Sequence, residues 1–197
     1  MEAAALGRPF TLGMLYDARR DRLIPDARDL TLDPNTAKNQ LILSEGNKKA
    51  TRGEMQSYPD LPERFDEVPR VLCREALTGR CYWEVEWSTS SGMVDVGVSY
   101  KCLERKGSGA TCMLGCYDLS WSLHCLHLPL RLPLTFCAKH NMMTIEYPGP
   151  TGCPKLGVFL DWPAGTLSYY KVSSHKLSHT FRTKFSEPVY PGFIFEA

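Results

Sequence analysis

The residues best suited to chemistry in this 197-residue chain are its eight cysteines and five histidines. Cys112, Cys116, His124, Cys125, His127, Cys137, His140 and Cys153 fall within one stretch. Thiolate and imidazole are the ligands of structural zinc, which takes them as close pairs at a set spacing. Here the spacing is ragged: three residues separate Cys112 from Cys116, His124 follows alone, and two residues separate Cys137 from His140. The cysteines therefore read as small core residues and the histidines as loop residues, with no metal and no cofactor expected. A nucleophile needs a positioned base. A Cys–His pair can be drawn freely in such a chain and carries no weight without one. Neither Gly-x-Ser-x-Gly nor His-Glu-x-x-His occurs, and Gly107-Ser108-Gly109 lacks the Lys-Ser/Thr of a phosphate loop. Glu84 and Glu86 share one strand face and read as its wet side. The expectation is a binding protein, not an enzyme.

Charge supports that direction. The 23 basic residues against 22 acidic ones leave a net charge of +1. A nucleic-acid or anionic-membrane partner would call for a basic excess. No apolar run reaches the roughly 18 residues of a membrane span. The nearest, Leu123 to Cys137, is broken by Pro129, Arg131 and Pro133. No charged-then-apolar leader opens the sequence, and no Asn-x-Ser/Thr site occurs. Reduced thiols in the cytoplasm follow as the expectation.

The elements that must position these residues have a period of two, so that alternate side chains face opposite sides. Trp83, Val85 and Trp87 alternate with Tyr82, Glu84 and Glu86; Val94, Val96 and Val98 alternate with Met93, Asp95 and Gly97. Leu156, Val158, Leu160 and Trp162 repeat the pattern, followed by a Pro163-Ala164-Gly165 turn and a strand through Leu167, Tyr169 and Lys171. Shorter candidates are Gln40–Ser44, Val68–Cys73, Cys112–Leu114, Trp121–Leu123, Met142–Glu146, His179–Thr183 and Val189–Phe195. Trp83, Val85, Val96, Val98, Val158, Leu160 and Leu167 are the expected core, with at least three of the four tryptophans in or near it. Tyr58, Tyr117 and Phe136 sit in loop-like sequence, and Arg105-Lys106 reads as a solvated tip. Between Met1 and Asp26 the spacing permits either a short helix or a strand. Many short strands between turn residues predict an all-β, two-sheet antiparallel sandwich.

Four segments resemble the PRY-SPRY family in the right order. They are Leu30-Thr31-Leu32-Asp33-Pro34-Asn35-Thr36-Ala37, Pro62-Glu63-Arg64-Phe65-Asp66, Tyr82-Trp83-Glu84-Val85-Glu86, and the Leu160-to-Tyr170 hairpin. The resemblance runs over residues 29–197 and implies a concanavalin-like jelly roll, with residues 1–28 as an N-terminal extension. Within that extension, Ala5 to Arg20 resembles the amino terminus of stonustoxin-type fish cytolysins. Those proteins also end in a PRY-SPRY domain, and here the two pieces are joined almost directly.

What the family resemblance implies is recognition of a protein partner through variable loops on a rigid sandwich. Matching by motif assigns Asp95, His124 and Leu126 to the partner-binding surface. They are expected to line one exposed groove, where truncation would leave stability unchanged. In an antibody-binding relative the positions matching His124 and Leu126 are tryptophans, which implies a different partner here. The functional expectation is a protein-protein interaction module, in innate immune sensing as in tripartite-motif proteins. The alternative is a stonustoxin-like subunit or remnant acting with a pore-forming partner. Neither nucleic-acid binding nor direct membrane insertion is expected. The apolar Leu123–Cys137 stretch and the early stop of the last strand near Phe195 predict exposed apolar surface or an unpaired edge.

Overall fold

The computed structural model describes residues 11–13, 26–88, 92–128, 131–148, 155–174 and 176–196. Its strands are β1 (Thr11–Gly13), β2 (Leu41–Ser44), β3 (Lys49–Arg52), β4 (Arg70–Leu72), β5 (Arg80–Ser88), β6 (Gly92–Ser99), β7 (Ser120–Leu128), β8 (Arg131–His140), β9 (Met143–Pro148), β10 (Lys155–Asp161), β11 (Thr166–Lys171), β12 (Lys176–Arg182) and β13 (Tyr190–Glu196). They form two antiparallel sheets, a seven-stranded one ordered β12-β11-β10-β5-β1-β3-β2 and a six-stranded one ordered β4-β13-β6-β7-β8-β9. The all-β sandwich read from the alternation is the fold. Of the N-terminal segment, Thr11–Gly13 is a strand between β3 and β5. Residues 1–10 and 14–25 of that segment lie outside the described residues.

The period-two positions face inward as expected. Trp83, Val85, Val96, Val98, Val158, Leu160 and Leu167 are all buried in one cluster with Trp87 and Trp121. Trp162 lies at the turn after β10, half-buried against the same cluster, and donates its indole N–H to the Glu187 carbonyl at 3.0 Å. The sheets are also joined through the core: the Tyr169 hydroxyl, from β11, donates to the Val96 carbonyl of β6 at 3.0 Å. At the β10–β11 turn, Gly165 has φ +69°, and a Cβ there would lie 1.9 Å from the Thr183 carbonyl. Only glycine accepts that conformation and that approach.

The first two motifs are tied to each other. Asp33 shapes the turn by accepting from the Asn35 N–H at 3.0 Å, and Thr36 Oγ1 accepts the Leu72 N–H of β4 at 3.0 Å. Arg64 is buried and donates to the carbonyls of Pro59, Pro34 and Ala37 at 2.8, 2.8 and 2.6 Å.

Several expectations are corrected. Ala110–Cys112 is a single 3₁₀ turn, not the start of a strand. Phe136 is a fully buried residue of β8, because the Leu- and Pro-rich stretch extends β7 and β8 instead of forming a loop. Arg105 is half-buried over the Phe65 ring, 4.8 Å from its centroid, while Lys106 bonds Asp60 at 2.6 Å. The last strand, β13, is not an unpaired edge: it pairs on both sides, with β4 and β6. Exposed apolar side chains lie elsewhere, at and just before β9: Met142, Met143 and Ile145 are 70%, 70% and 54% exposed, whereas Leu123, Cys125, Phe136 and Cys137 are buried.

Seven described cysteines are free thiols. Burial raises the thiol pKa of Cys73, Cys112, Cys116 and Cys137, and raises the Tyr147 and Tyr169 phenols as well. The folded state therefore holds these protons more tightly than the unfolded chain. Their stabilisation is complete below the unfolded thiol value near 9 and is lost as pH rises beyond it. Arg70, pulled down to about 9 by burial, and Arg105, also lowered by burial, act in the opposite sense but are outnumbered. Urea unfolding under reducing conditions is expected to show stability falling from pH 8 to about pH 10.5.

Candidate functional site

Asp95 and His124 are direct cross-strand neighbours on β6 and β7. Their row continues through Ile194 to Arg70 on one side and through Cys137 to Glu146 on the other. This row belongs to the outer face of the six-stranded sheet, since Val94, Val96, Leu123 and Cys125, one position away, are the core residues. The row two residues on contains Met93, Leu126 and Thr135; the row on the other side contains Gly97, Ser122, Lys139 and Thr144. The three residues assigned from the motifs thus share one face, with Leu126 diagonal to Asp95.

Their setting differs from the expected exposed groove. Asp95 and His124 lie within strands, not in loops, and only 4% and 7% of their surfaces are exposed. Leu126 is half-buried in β7. His140 also lies on a strand instead of in a loop, while His179 lies on a strand as expected. The Asp95 carboxylate and His124 Nδ1 are 2.6 Å apart. Lys139 Nζ stands 3.2 Å from the same nitrogen. One nitrogen cannot donate to a carboxylate and accept from an ammonium together. The shorter contact fixes an Nδ1–H donated to Asp95, with the Lys139 charge alongside.

Arg70 completes the electrostatics. None of its guanidinium nitrogens has a hydrogen-bond partner among the described residues, and the group lies 4.8 Å from the Phe65 ring centroid. Desolvation pulls its pKa down to about 9, and the Asp95 charge is the largest influence holding it up. Sequence reasoning missed Arg70 altogether. Its only signal was a charge at the start of an otherwise apolar triplet, Arg70-Val71-Leu72. Among the described residues no three His, Cys, Asp or Glu side chains gather to hold a metal ion. The cysteines of this region have thiols raised by burial, which weakens them as nucleophiles. Arg70, Ile194, Asp95, His124 and Cys137 are all buried, so this stretch of the row is a closed layer, while Leu126, Lys139, Thr144 and Glu146 reach solvent.

Family models for the SPRY-associated domain PRY match residues 30–77 and for the SPRY domain residues 80–197. The chain belongs to the SPRY family. This PRY-SPRY domain is 45% identical over 168 residues to stonustoxin subunit beta of Synanceia horrida, covering 84% of the chain and 23% of that protein. It is 42% identical over 191 residues to neoverrucotoxin subunit alpha of Synanceia verrucosa, covering 94% of the chain and 26% of the relative. The chain thus spans about a quarter of the length of these toxin relatives. Tripartite motif-containing protein 16 of Mus musculus is 37% identical, over 88% of the chain and 31% of that protein. Among solved structures, stonustoxin superposes with a TM-score of 0.75 at 40% identity, covering 86% of this chain and 27% of that one. The TRIM65 PSpry domain superposes with a TM-score of 0.74 at 29% identity, covering 86% of each.

The burial of the Asp95–His124 pair revises the expected effect of mutation. Asp95→Ala removes the acceptor of a buried donor and the main counter-charge of Arg70. It is expected to lower unfolding stability by about 1–3 kcal/mol. Arg70→Met in the same chain should restore part of that loss, since a buried cation is then no longer left without its opposing charge. Urea denaturation of the two single variants and the double variant measures the coupling.

Proposed function

We propose that this PRY-SPRY domain is a protein-interaction module that recognises a segment of a protein partner on the outer face of its six-stranded sheet. Asp95, His124 and Leu126 are the central residues of that proposal. The observation that carries it is the cross-strand row Arg70–Ile194–Asp95–His124–Cys137–Glu146 with Leu126 beside it. A half-buried leucine next to a desolvated charge pair, with Lys139 and exposed Thr144 and Glu146 around it, has the composition of a contact centre and its polar rim. In this reading Leu126 makes the apolar contact, while Asp95 and His124 hold β6 and β7 in place and set the charge beneath it. The free thiols and the similarity to tripartite-motif proteins support a cytoplasmic, innate-immune setting.

Quantitative capture of partners from the native tissue, with wild-type and variant chains compared on the same bound species, tests this face. Leu126→Arg is expected to weaken capture at least about tenfold, equivalent to about 1.4 kcal/mol. Ile42→Ala, on the seven-stranded sheet, should retain it. If Leu126→Arg binds like wild type while the Ile42 variant fails, the wrong sheet has been assigned.

The 45% and 42% identities to toxin subunits support a second reading, a subunit that acts on membranes only beside a pore-forming partner. Under that reading, the chain alone leaves erythrocytes intact but changes the lytic dose of a full-length cytolysin. An unchanged dose at stoichiometric excess removes it.

A further inference from the structure

A second site lies at one end of the sandwich, away from the outer face just described. A cavity of about 350 Å³ opens there between the edge strands of the two sheets. On one side its walls are Phe136 and Tyr147, direct neighbours across β8 and β9 on that sheet's inward face, with Pro148 beyond them. On the other side are Lys171, at the end of β11, and Lys176, Leu177 and Ser178, at the start of β12.

The lysines are brought opposite each other by an irregularity in strand pairing. Along β11 the inward positions are Leu167 and Tyr169, both fully buried, and Lys171 comes next in that series. Regular pairing with β12 would place Leu177 opposite Lys171, continuing the inward series of Phe181 and His179. Instead the register shifts between Tyr169 and Tyr170. Tyr169 pairs with His179, Tyr170 with Leu177, and Lys171 with Lys176, leaving Ser178 as the extra residue. One bulged residue therefore sets Leu177, 50% exposed, opposite Tyr170 and brings Lys176, also exposed, opposite Lys171, with both Lys176 and Leu177 on the cleft wall. Bulges are devices for re-aiming side chains in this way.

The pairing sets two like charges side by side. Like charges directly opposite each other across an antiparallel pair repel. Neither ammonium has a carboxylate within 4.0 Å among the described residues. The two cations sit across a cavity from two aromatic rings, in a chain whose net charge is only +1. Their charge and the apolar far wall are complementary to a ligand with an anionic head and a short apolar body. The size agrees: a cavity of about 150 Å³ holds one benzene ring, so this one admits a chain of roughly eight carbons.

We propose that this end cleft binds a small amphiphilic carboxylate. The carboxylate sits between the Lys171 and Lys176 ammonium groups, and the hydrocarbon lies against Phe136, Tyr147 and Leu177.

Isothermal titration of the whole chain with octanoate tests the site, with octylammonium, inorganic phosphate and a short acidic peptide as the comparison probes. Octanoate is expected to bind saturably, at one per chain, and to raise the melting temperature. Octylammonium should not bind, and phosphate and the peptide should bind at least tenfold more weakly. Lys171→Met with Lys176→Met is expected to abolish octanoate binding. The same change should leave the ligand-free protein as stable as wild type or more so, because it removes the repulsion. Partner capture should be unaffected, so failure here is distinguishable from failure of the docking face. Octanoate binding that survives the double substitution overturns the proposal. So does phosphate or the peptide binding as well as octanoate, or a double variant markedly less stable than wild type. Absence of saturable octanoate binding at millimolar concentration overturns it as well.

Discussion

The structure depends on two sheets presenting apolar faces to each other at a fixed separation. Side chains from both fill the space between, and the Tyr169 hydroxyl crosses it to the Val96 carbonyl, tying β11 to β6. A buried phenol without that acceptor would forfeit a hydrogen bond it could make in water. Once this interlayer is set, every residue one position out of phase is committed to an outer face. The Asp95–His124 row is the outer complement of the Val94–Val96 and Leu123–Cys125 core positions. The lysine cleft marks where the interlayer ends: Leu167 and Tyr169 belong to it, and Lys171 has passed beyond it.

Charge is handled differently at the two places. Under the outer face Arg70 is fully buried, with Asp95 opposing its loss of charge, and Phe65 covers the guanidinium. Such a buried charge adds little to stability. At the end cleft the cations are near solvent and repel each other, so they are not held by internal compensation.

The core was legible from period two alone. Trp83, Val85, Val158 and Leu160 alternate without interruption, and a half-buried strand leaves no other placement for them. Phe136 was not legible. It follows a Leu-Pro-Leu-Arg-Leu-Pro-Leu run with no polar counter-phase, so the sequence carries no sign that β8 continues through it. Asp95 and His124 were legible in position but not in environment. Alternation assigns a polar residue to the outer side, yet cannot tell an outer side open to water from one closed over a satisfied ion pair. Arg70 and the bulge at Ser178 were invisible for related reasons. Burial of the first depends on Phe65 and β13, distant in sequence. The second is a property of pairing between two strands, not of either strand.

The two family models divide the chain between residues 77 and 80, yet the strands ignore that boundary. Of the segment before it, β2 and β3 extend the seven-stranded sheet while β4 closes one edge of the six-stranded sheet. The Arg64 clamp and the Thr36 contact to Leu72 hold these pieces together. The earlier segment is therefore a clasp around the later one, and neither half is a domain in the physical sense. The stonustoxin subunit and tripartite motif-containing protein 16 match 84% and 88% of the chain, so proteins as different as a cytolysin and a tripartite-motif protein share the clasp together with what it encloses.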